Sequence, residues 1–400
     1  MSFDPSRARL ETRAVHAGRA PDPTTGAVIP PIVLSTTFVR EPDYGTGAGW
    51  VYARDRTPNR TELEGALAAL EAPPGTDPAD YTALAFASGM AATTAVLHCA
   101  WPGARVLLPE RIYYHTRALA ETVFGPWGLV PVLVPMDDLD AVRRALDDGA
   151  PPAFVWLETP SNPTLTITDI AGIVALVRAH TPQDGERRTR VCVDNTWASP
   201  LGQQPLALGA DVVMHSTTKY LAGHSDVTGG ALVLAARDPL AERLRKVQVL
   251  TGSGAPPFDA WLVARGIASL PARWRMHVEN ARAVAEAMVG HPAVHAVHYP
   301  FLPGHPNGDV ARRQMRSGGA MLSLQVRGGR DAALAVTARV RLFTRATSLG
   351  GVESLIEHRA SVEGPTSPTP HDLLRCSIGL EHAADLIADL EQALDGVGAG

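Results

Sequence analysis

The sequence predicts an α/β fold with a mainly parallel sheet of seven strands, followed by a smaller α+β domain. Seven short apolar runs between residues 84 and 234 lack polar alternation, as expected for strands buried on both faces. Helical stretches rich in Ala and Leu separate several of these runs, and such alternation favours a parallel sheet. With 45% hydrophobic residues among 400, the chain can form a large core.

The larger domain is predicted over residues 61–255, after an extended N-terminal arm at residues 1–60 that is rich in Pro, Gly and Thr. The predicted strands are Leu84–Phe86, Val106–Leu108, Val130–Val134, Phe154–Leu157, Val191–Asp194, Val212–Met214 and Ala231–Leu234. Helices are predicted at Arg60–Leu70, Met90–Cys99 and Leu139–Leu146. This order of elements is typical of a sheet built from strand-helix-strand units.

The pattern changes at residue 256, where the smaller domain is predicted to begin and to continue to residue 400. A long helix rich in Ala and Arg is expected at Asp259–Val289, and a strand at Met321–Val326. The Pro/Ser/Thr stretch Gly364–Pro370 predicts a surface loop. A closing helix is expected at Ala383–Leu394.

Composition excludes several classes of protein. A net charge of −5, from 36 basic and 41 acidic residues, is unlike the basic footprint of a nucleic-acid-binding protein. Three scattered cysteines predict neither a disulfide framework nor a Cys-rich metal site, and no metal is expected. The N-terminus has no apolar signal region, and no run approaches the roughly 18 apolar residues of a membrane span. We therefore predict a cytoplasmic protein without a membrane partner.

Lys219 is the central candidate for catalysis. It follows the predicted strand Val212–Met214 by five residues and is preceded by Ser216, Thr217 and Thr218. Such surroundings can desolvate an amine, lower its pKa and allow it to form a Schiff base. Most lysines are solvated surface residues, and the residues around Lys219 alone leave that alternative open.

Two further candidates follow strand ends, where α/β sheets place their ligands. Asp194 ends a predicted strand, and a buried carboxylate there needs a cationic partner such as a protonated pyridine nitrogen. Capping of the next helix is the alternative for Asp194. Ser88–Met90 follows another strand and opens a helix, whose N–H groups and dipole suit an anion. Ser216 and Thr218 could add donors to the same phosphate.

Six motifs occur in one order along the chain: SGMAA, ETPSNP, VDNTWASP, HSTTKYLAGHSD, SLGGVESLIEH and LLRCSIGLE. In these motifs the sequence resembles the Cys/Met-metabolism family of pyridoxal-phosphate enzymes. That family includes cystathionine γ-synthase, γ-lyase and β-lyase, methionine γ-lyase and the O-acylhomoserine sulfhydrylases. The resemblance implies PLP-dependent transferase fold type I, which is aspartate-aminotransferase-like, and pyridoxal 5'-phosphate as the cofactor.

The resemblance also implies roles for individual residues. Lys219 matches the Schiff-base lysine and Asp194 the partner of the pyridine nitrogen. Tyr113 matches the tyrosine that stacks on the cofactor and assists proton transfer to the leaving group, and Arg375 the arginine that binds the substrate α-carboxylate. The remaining matches are Ser88, Gly89, Met90, Ser216 and Thr218 for the phosphate, Asn162 near the ring hydroxyl, Ser348 and Tyr52 for the substrate, and Tyr52 with Arg54 for the phosphate of a neighbouring protomer.

The implied reaction is γ-replacement or γ-elimination on a γ-substituted amino acid, through an external aldimine and a vinylglycine-type intermediate. The alternatives are β-elimination of the cystathionine β-lyase type, or carbon–carbon bond formation from the same intermediate, for example with a sulfonium amino acid. A third alternative is a catalytically silent regulator or scaffold, although retention of Lys219, Asp194, Tyr113 and Arg375 argues against it. The resemblance further implies a homo-oligomer, with a dimer as the minimum active unit and a tetramer usual.

The sequence departs from the family pattern on the substrate side of the site. The residues that differ are Thr57-Pro58-Asn59 in place of Asn-Pro-Thr, Tyr114-His115 in place of Gly-Gly, Thr347 in place of Glu, and Arg359–Gly364 in place of Pro-Ala-Ser-Met-Thr-His. Methionine γ-lyases carry cysteine where His115 stands, which disfavours that assignment. The cofactor side is intact, so the sequence predicts pyridoxal-phosphate chemistry and leaves the leaving group and nucleophile open.

Overall fold

The computed structural model covers both predicted domains. The described residues are 8–47, 49–182, 185, 187–364, 368–395 and 397. Residues 1–7 of the predicted arm lie outside this set. The predicted loop Gly364–Pro370 lies partly outside it as well, because residues 365–367 are not described.

The sequence predicted an extended N-terminal arm, but the arm is not extended throughout. It contains helix α1 (Leu10–His16), and helix α2 (Pro58–Glu71) begins before the predicted boundary. Leu10 and Ala14 are spaced by one helical turn and are both buried in the main core, which explains why this segment is helical. Later in the arm, the Asn59 side chain bonds Pro31 O and Val33 N–H, each at 2.9 Å, and so anchors the arm to α2.

A sheet of seven strands forms the centre of the larger part of the chain. Its strands are β1 (Tyr81–Phe86), β2 (Arg105–Pro109), β3 (Val130–Val134), β4 (Phe154–Glu158), β5 (Arg190–Asp194), β6 (Val212–His215) and β7 (Gly230–Ala235). Their spatial order is β1-β7-β6-β5-β4-β2-β3. Strands β2 to β6 pair in parallel with one another, whereas β7 is antiparallel to β6 and β1. The seven predicted strands and the mainly parallel sheet are therefore confirmed.

Helices cover both faces of this sheet. They are α3 (Gly89–His98), α4 (Tyr114–Ala118), α5 (Leu139–Asp147), α6 (Ile170–His180), α7 (Ser199–Gly202) and α8 (Pro239–Thr251). Trp156 and Cys192 pack with α3 and α8 on one face, while Val155 and Leu157 pack with α5 and α6 on the other. Because successive side chains of a strand point to opposite faces, a strand covered on both sides is apolar throughout.

A second sheet, of five strands, follows the long helix α9 (Pro257–Met288). Its strands are β8 (Val294–His298), β9 (Met321–Val326), β10 (Thr344–Arg345), β11 (Leu355–His358) and β12 (Leu373–Ser377), and its helices are α10 (Gly308–Gln314), α11 (Gly329–Arg339), α12 (Arg359–Glu363) and α13 (Ala383–Leu394). Their spatial order is β10-β11-β12-β9-β8. The predicted long helix, the strand at Met321–Val326 and the closing helix are confirmed. The domain boundaries at residues 60 and 255 remain a prediction.

The edge of the central sheet at which β1, β4, β5 and β6 end positions the candidate site. Glu158, Asp194 and His215 are the last residues of β4, β5 and β6, and Ser88 follows the end of β1. Since these strands run in the same direction, segments far apart in sequence meet at this edge. Within the part of the chain that the structure describes, no helix has the length and apolar character needed to cross a membrane.

Candidate active site

A cavity of about 470 Å³ lies at this edge, between the central sheet and the C-terminal sheet. Most of the residues predicted for the site line it together: Ser88, Gly89, Met90, Tyr113, Asn162, Asp194, Ser216, Thr218, Lys219, Ser348 and Arg375. The central sheet and its loops carry the first nine, while Ser348 and Arg375 come from the C-terminal part of the chain. Residues that follow α9 therefore form part of the substrate side.

Lys219 lies four residues after β6 and is mostly buried in the cavity. Its Nζ donates a hydrogen bond to the Oγ of Ser348 at 2.7 Å. Burial lowers the pKa of the Lys219 amine to about 8, and the nearby positive charge of Arg375 acts in the same direction. A substantial fraction of neutral amine is consequently present near neutral pH, as a nucleophile or a general base requires.

Asp194 ends β5 with its carboxylate on the cavity. Its Oδ1 accepts a hydrogen bond from the N–H of Thr196 at 3.0 Å, and the Thr196 hydroxyl accepts one from the N–H of Ser216 at 2.8 Å. Burial raises the pKa of Asp194 above its ordinary value, against the opposing effects of Thr196 and His215. Helix α7 begins only at Ser199 without a side-chain cap, so Asp194 does not cap it. A cationic partner in the cavity would stabilise the charged carboxylate.

The N-terminus of α3 forms the anion site predicted at Ser88–Met90. Ser88 caps this helix, with its hydroxyl accepting from the N–H of Ala91 at 3.1 Å. The N–H groups of Gly89 and Met90, in the first turn, have no acceptor within the helix and are available to an anion. A Cβ on Gly89 would lie 3.0 Å from the Cβ of Ser216, so glycine lets the two segments approach closely.

Thr218, also predicted for the phosphate, lies on the cavity but already bonds the protein. Its Oγ1 accepts from the N–H of Gly229 at 2.9 Å and donates to the Gly229 carbonyl at 3.2 Å. To donate to a phosphate oxygen, the Thr218 hydroxyl would have to give up its hydrogen bond to the Gly229 carbonyl. The backbone N–H groups of α3 are therefore the better prepared donors.

Tyr113 and Asn162 are held by a glutamate that the sequence did not single out. Glu158, the buried end of β4, accepts from the N–H of Tyr113 at 2.8 Å and from the N–H of Asn162 at 2.9 Å. Burial, together with the charge of Asp194, raises the pKa of Glu158 to about 8. Its position at the end of an apolar strand, inside ETPSNP, was the signal that could have identified it.

His115, which differs from the family pattern, contacts the hydroxyl of Tyr113, the predicted catalytic tyrosine. The Nδ1 of His115 lies 3.0 Å from the Oη of Tyr113, and the centroids of the two rings are 5.2 Å apart. Burial raises the pKa of the Tyr113 hydroxyl above its ordinary value. Tyr113 is thus a protonated phenol with a hydrogen-bonding neighbour that glycine could not provide.

Arg375 projects from β12 and is buried against the cavity. Its Nη1 donates to the Oδ1 of Asn162 at 3.2 Å, and its Nη2 donates to the Ser348 carbonyl at 3.1 Å. An ion pair of 2.6 Å joins it to Glu357. Ser348 has a φ of 95°, a conformation that costs energy in a residue other than glycine. This backbone places the Ser348 carbonyl on Arg375 and its hydroxyl on Lys219.

Tyr52 and Arg54 are not brought to this cavity within one chain. Tyr52 is 43% exposed, and the Arg54 guanidinium lies over its ring, 5.5 Å from the centroid. Neither side chain lines the cavity that contains Lys219. Their predicted role in a neighbouring protomer's site remains a prediction.

The residues of the cavity fit pyridoxal phosphate. Lys219 supplies a desolvated amine for its aldehyde, α3 supplies open N–H groups for its phosphate, and Asp194 supplies a carboxylate that needs a cation. Tyr113 supplies an aromatic ring for the face of the pyridine. These groups together therefore match the aldehyde, the phosphate and the ring nitrogen of one molecule.

Comparisons with known proteins agree with this chemistry. The family model described as Cys/Met metabolism PLP-dependent enzyme matches residues 11–395. The cystathionine γ-synthase of Mycobacterium leprae is 46% identical over 96% of this chain and 97% of that protein. The cystathionine β-lyase of Coxiella burnetii is 39% identical over 97% and 98%.

A solved structure gives the same result. The crystal structure of cystathionine γ-synthase from Xanthomonas oryzae pv. oryzae in complex with cystathionine has a TM-score of 0.88, with 38% identity over 97% of this chain and 98% of that one. Fold type I, the pyridoxal-phosphate cofactor and the trans-sulfuration type of enzyme, with γ-replacement or γ-elimination on an amino-acid substrate, are confirmed. The chain belongs to the Cys/Met metabolism family of PLP-dependent enzymes.

Proposed function

We propose that the protein catalyses γ-replacement of the cystathionine γ-synthase type, in which a thiol displaces the γ-substituent of an activated homoserine. The observation that carries the proposal is the placement of one base beside one carboxylate anchor. Lys219 Nζ lies 2.7 Å from Ser348 Oγ, and the carbonyl of the same residue accepts from Arg375. An amino acid held by Arg375 would therefore present its Cα and Cβ to the Lys219 amine.

Each residue would have a defined task in this reaction. Bound pyridoxal phosphate would withdraw electrons from Cα and so acidify its proton and those of Cβ. Asp194 would keep the ring nitrogen protonated, and the N–H groups of α3 would hold the phosphate. Lys219 would attach the cofactor and then carry protons at Cα and Cβ. Tyr113, hydrogen-bonded to His115, would deliver a proton to the leaving group at Cγ.

Proton NMR in D₂O of the loaded enzyme tests this function. Cystathionine, O-acylhomoserines, methionine and S-adenosylmethionine would be supplied singly, with and without cysteine. We expect loss of both α- and β-proton signals from an O-acylhomoserine, followed by formation of a thioether when cysteine is present. A keto acid with cysteine present and no thioether would contradict γ-replacement and indicate γ-elimination.

A second candidate rests on the changed substrate side. Tyr114, His115 and Thr347 line the cavity beside Tyr113, and one relative of 39% identity is a cystathionine β-lyase. These changes would suit β-elimination or a carbon nucleophile. Exchange of the α-proton alone, with pyruvate formed from cystathionine, would favour β-elimination. Exchange with no product from any of these compounds would favour a carbon nucleophile or a substrate outside sulfur metabolism.

We also propose that the active unit is at least a dimer, with a tetramer as the larger assembly. The arm exposes the apolar side chains Val28, Leu34, Val39 and Tyr44, each more than two-thirds exposed. Their burial by a neighbouring protomer would remove this surface from water. The same contact would carry Tyr52 and Arg54 toward the neighbour's phosphate site. The predicted cytoplasmic location remains a prediction.

Subunit complementation tests the shared site. Arg54→Ala and Lys219→Ala proteins would each be inactive or nearly so, because each lacks one half of every site. Mixed after dissociation and reassociation, they would form some dimers with one intact site and one doubly altered site. We expect recovery of roughly a quarter of the wild-type activity for random reassociation into dimers. No recovery, with hybrid dimers present by native mass spectrometry, would place Arg54 in the site of its own chain.

A further inference from the structure

Four charged side chains form a buried network at the substrate end of the cavity. Glu357 Oε2 lies 2.6 Å from Arg375 Nη2 and 3.2 Å from Arg359 Nη1, and Glu363 Oε1 lies 2.7 Å from Arg359 Nε. All four side chains are less than one-tenth exposed. The two arginines and two glutamates balance in charge, so the network can exist without a ligand.

Arg359 is the unexplained member of this network. It begins α12 at the position where the family pattern has proline, and it lines the same cavity as Lys219 and Arg375. Burial lowers the pKa of Lys219 and raises that of Tyr113, and the positive charge of Arg359 adds to the first effect and opposes the second, consistent with a position close to the reacting groups. The cavity therefore contains a second guanidinium in addition to the one assigned to the α-carboxylate.

The hydrogen bonds of Arg359 leave one nitrogen without a partner. Nε donates to Glu363 and Nη1 donates to Glu357, but none of the described residues accepts from Nη2. Nη2 is not among the fully buried atoms that lack a partner, so it is accessible on a residue that lines the cavity, and a carboxylate is the acceptor that binds a guanidinium most strongly. The two glutamates hold the guanidinium through Nε and Nη1, which leaves Nη2 as the donor for a ligand.

Space is available beyond this end of the cavity. Glu363, Tyr114 and Asn162 also line a neighbouring cavity of about 540 Å³, so these residues form a shared wall between the two. A substrate anchored at Arg375 thus has room to extend toward this shared wall, where Glu363 pairs with Arg359. The distal part of the substrate would then lie beside Arg359.

We propose that Arg359 binds a second carboxylate, in addition to the α-carboxylate at Arg375, and so selects a reactant with an anionic distal group. This inference rests on the proposed function for the identity of that reactant. The carboxylate could belong to the acyl group that leaves Cγ or to the incoming thiol. The chemistry of recognition is the same in both cases.

Two unreactive amino acids test recognition without any γ-chemistry. The dissociation constants of 2-aminoadipate and norleucine, which differ only by the terminal carboxylate, would be measured from the change in cofactor absorbance of the loaded enzyme. We expect wild type to prefer 2-aminoadipate by roughly tenfold to a hundredfold, as for a charged hydrogen bond. Arg359→Gln should lose that preference.

Two further variants separate recognition from a structural role. Glu363→Gln removes a carboxylate that competes for Arg359, so its preference for 2-aminoadipate should be kept or increased. Arg117→Gln changes an arginine of the neighbouring cavity that pairs with Glu121 at 2.8 Å, and its preference should equal that of wild type. If Arg359→Gln weakens both amino acids equally, or wild type shows no preference, the proposal is wrong.

Steady-state assays then identify which reactant carries the carboxylate. The ratio of kcat/KM for O-succinylhomoserine over O-acetylhomoserine reports on the leaving group, and that for cysteine over cysteamine reports on the thiol. Arg359→Gln should lower one of these ratios roughly tenfold or more. Unchanged ratios in both assays would overturn the proposal. If neither homoserine ester reacts while the 2-aminoadipate preference persists, the proposed γ-replacement fails and the carboxylate site stands.

Discussion

Replacing Lys219 by alanine is expected to abolish measurable turnover and covalent attachment of the cofactor. The amine is the attachment point and would also move protons at Cα and Cβ, and loss of general acid–base catalysis alone costs roughly 10²- to 10⁴-fold in rate. Loss of the attachment adds to this. Product formation from an O-acylhomoserine and cysteine, measured with excess pyridoxal phosphate, checks the result. Undiminished turnover would contradict the entire scheme.

The sequence provides a matched control, because Lys219 and Lys246 are its two lysines. Lys246 is on α8, largely exposed and paired with Glu242 at 2.8 Å, and it is not one of the residues that line the cavity. Borohydride reduction of the loaded protein should fix the cofactor on the peptide that contains Lys219 and leave that of Lys246 unmodified. Lys246→Ala should keep both the modification and the activity. Equal labelling of the two peptides would contradict the assignment.

The pH dependence of attachment follows from the pKa of Lys219. Only the neutral amine attacks an aldehyde, and burial lowers the pKa of this amine to about 8. The rate of attachment to the apoprotein should therefore rise with pH up to about 8 and level off above it. For a solvated lysine, the rate of attachment would continue to rise up to about pH 10. Stopped-flow absorbance across this range distinguishes the two profiles.

Asp194→Asn is expected to lower kcat by at least roughly 100-fold while leaving the cofactor attached. Asparagine keeps the shape and can still accept from the N–H of Thr196, but it cannot balance the charge of a protonated ring nitrogen. Loss of a prepared electrostatic stabiliser typically costs this much. The measurement is the rate of α-proton exchange in D₂O, which isolates the step that depends on electron withdrawal. Exchange at the wild-type rate would exclude the assigned role.

A buried aspartate outside the site serves as the control for this variant. Asp211, just before β6, pairs with Arg178 at 2.8 Å and Arg188 at 3.0 Å, and its side chain is 6% exposed. Asp211→Asn should lower the free energy of unfolding, because it weakens a buried charge network, yet keep the rate of α-proton exchange. Equal loss of exchange in both variants would indicate general disruption in place of a specific role for Asp194.

The residues on the cofactor side of the site were predictable because short local stretches of sequence determine their positions. A run of buried apolar residues precedes each of Asp194, Lys219 and Ser88. The carboxyl end of a strand in a parallel sheet lies at the edge where ligands bind, and this does not depend on the sequences of the other strands. The helix N-terminus after Ser88 has open N–H groups from backbone geometry alone. The presence and order of the seven strands of the central sheet were predictable for the same reason, since burial on both faces makes each of them a continuous apolar run.

The contacts between the central sheet and the residues after α9 could be seen only in the tertiary structure. No local pattern places Ser348 on Lys219 or the Glu158 carboxylate on the N–H of Tyr113, because these partners are distant in sequence. Similarly, the helix at Leu10–His16 forms because Leu10 and Ala14 find a core that other segments provide. The sequence by itself thus determined the family, the fold and the cofactor side. The tertiary structure decided the substrate side, because its charges act through contacts that exist only once the two sheets have packed together.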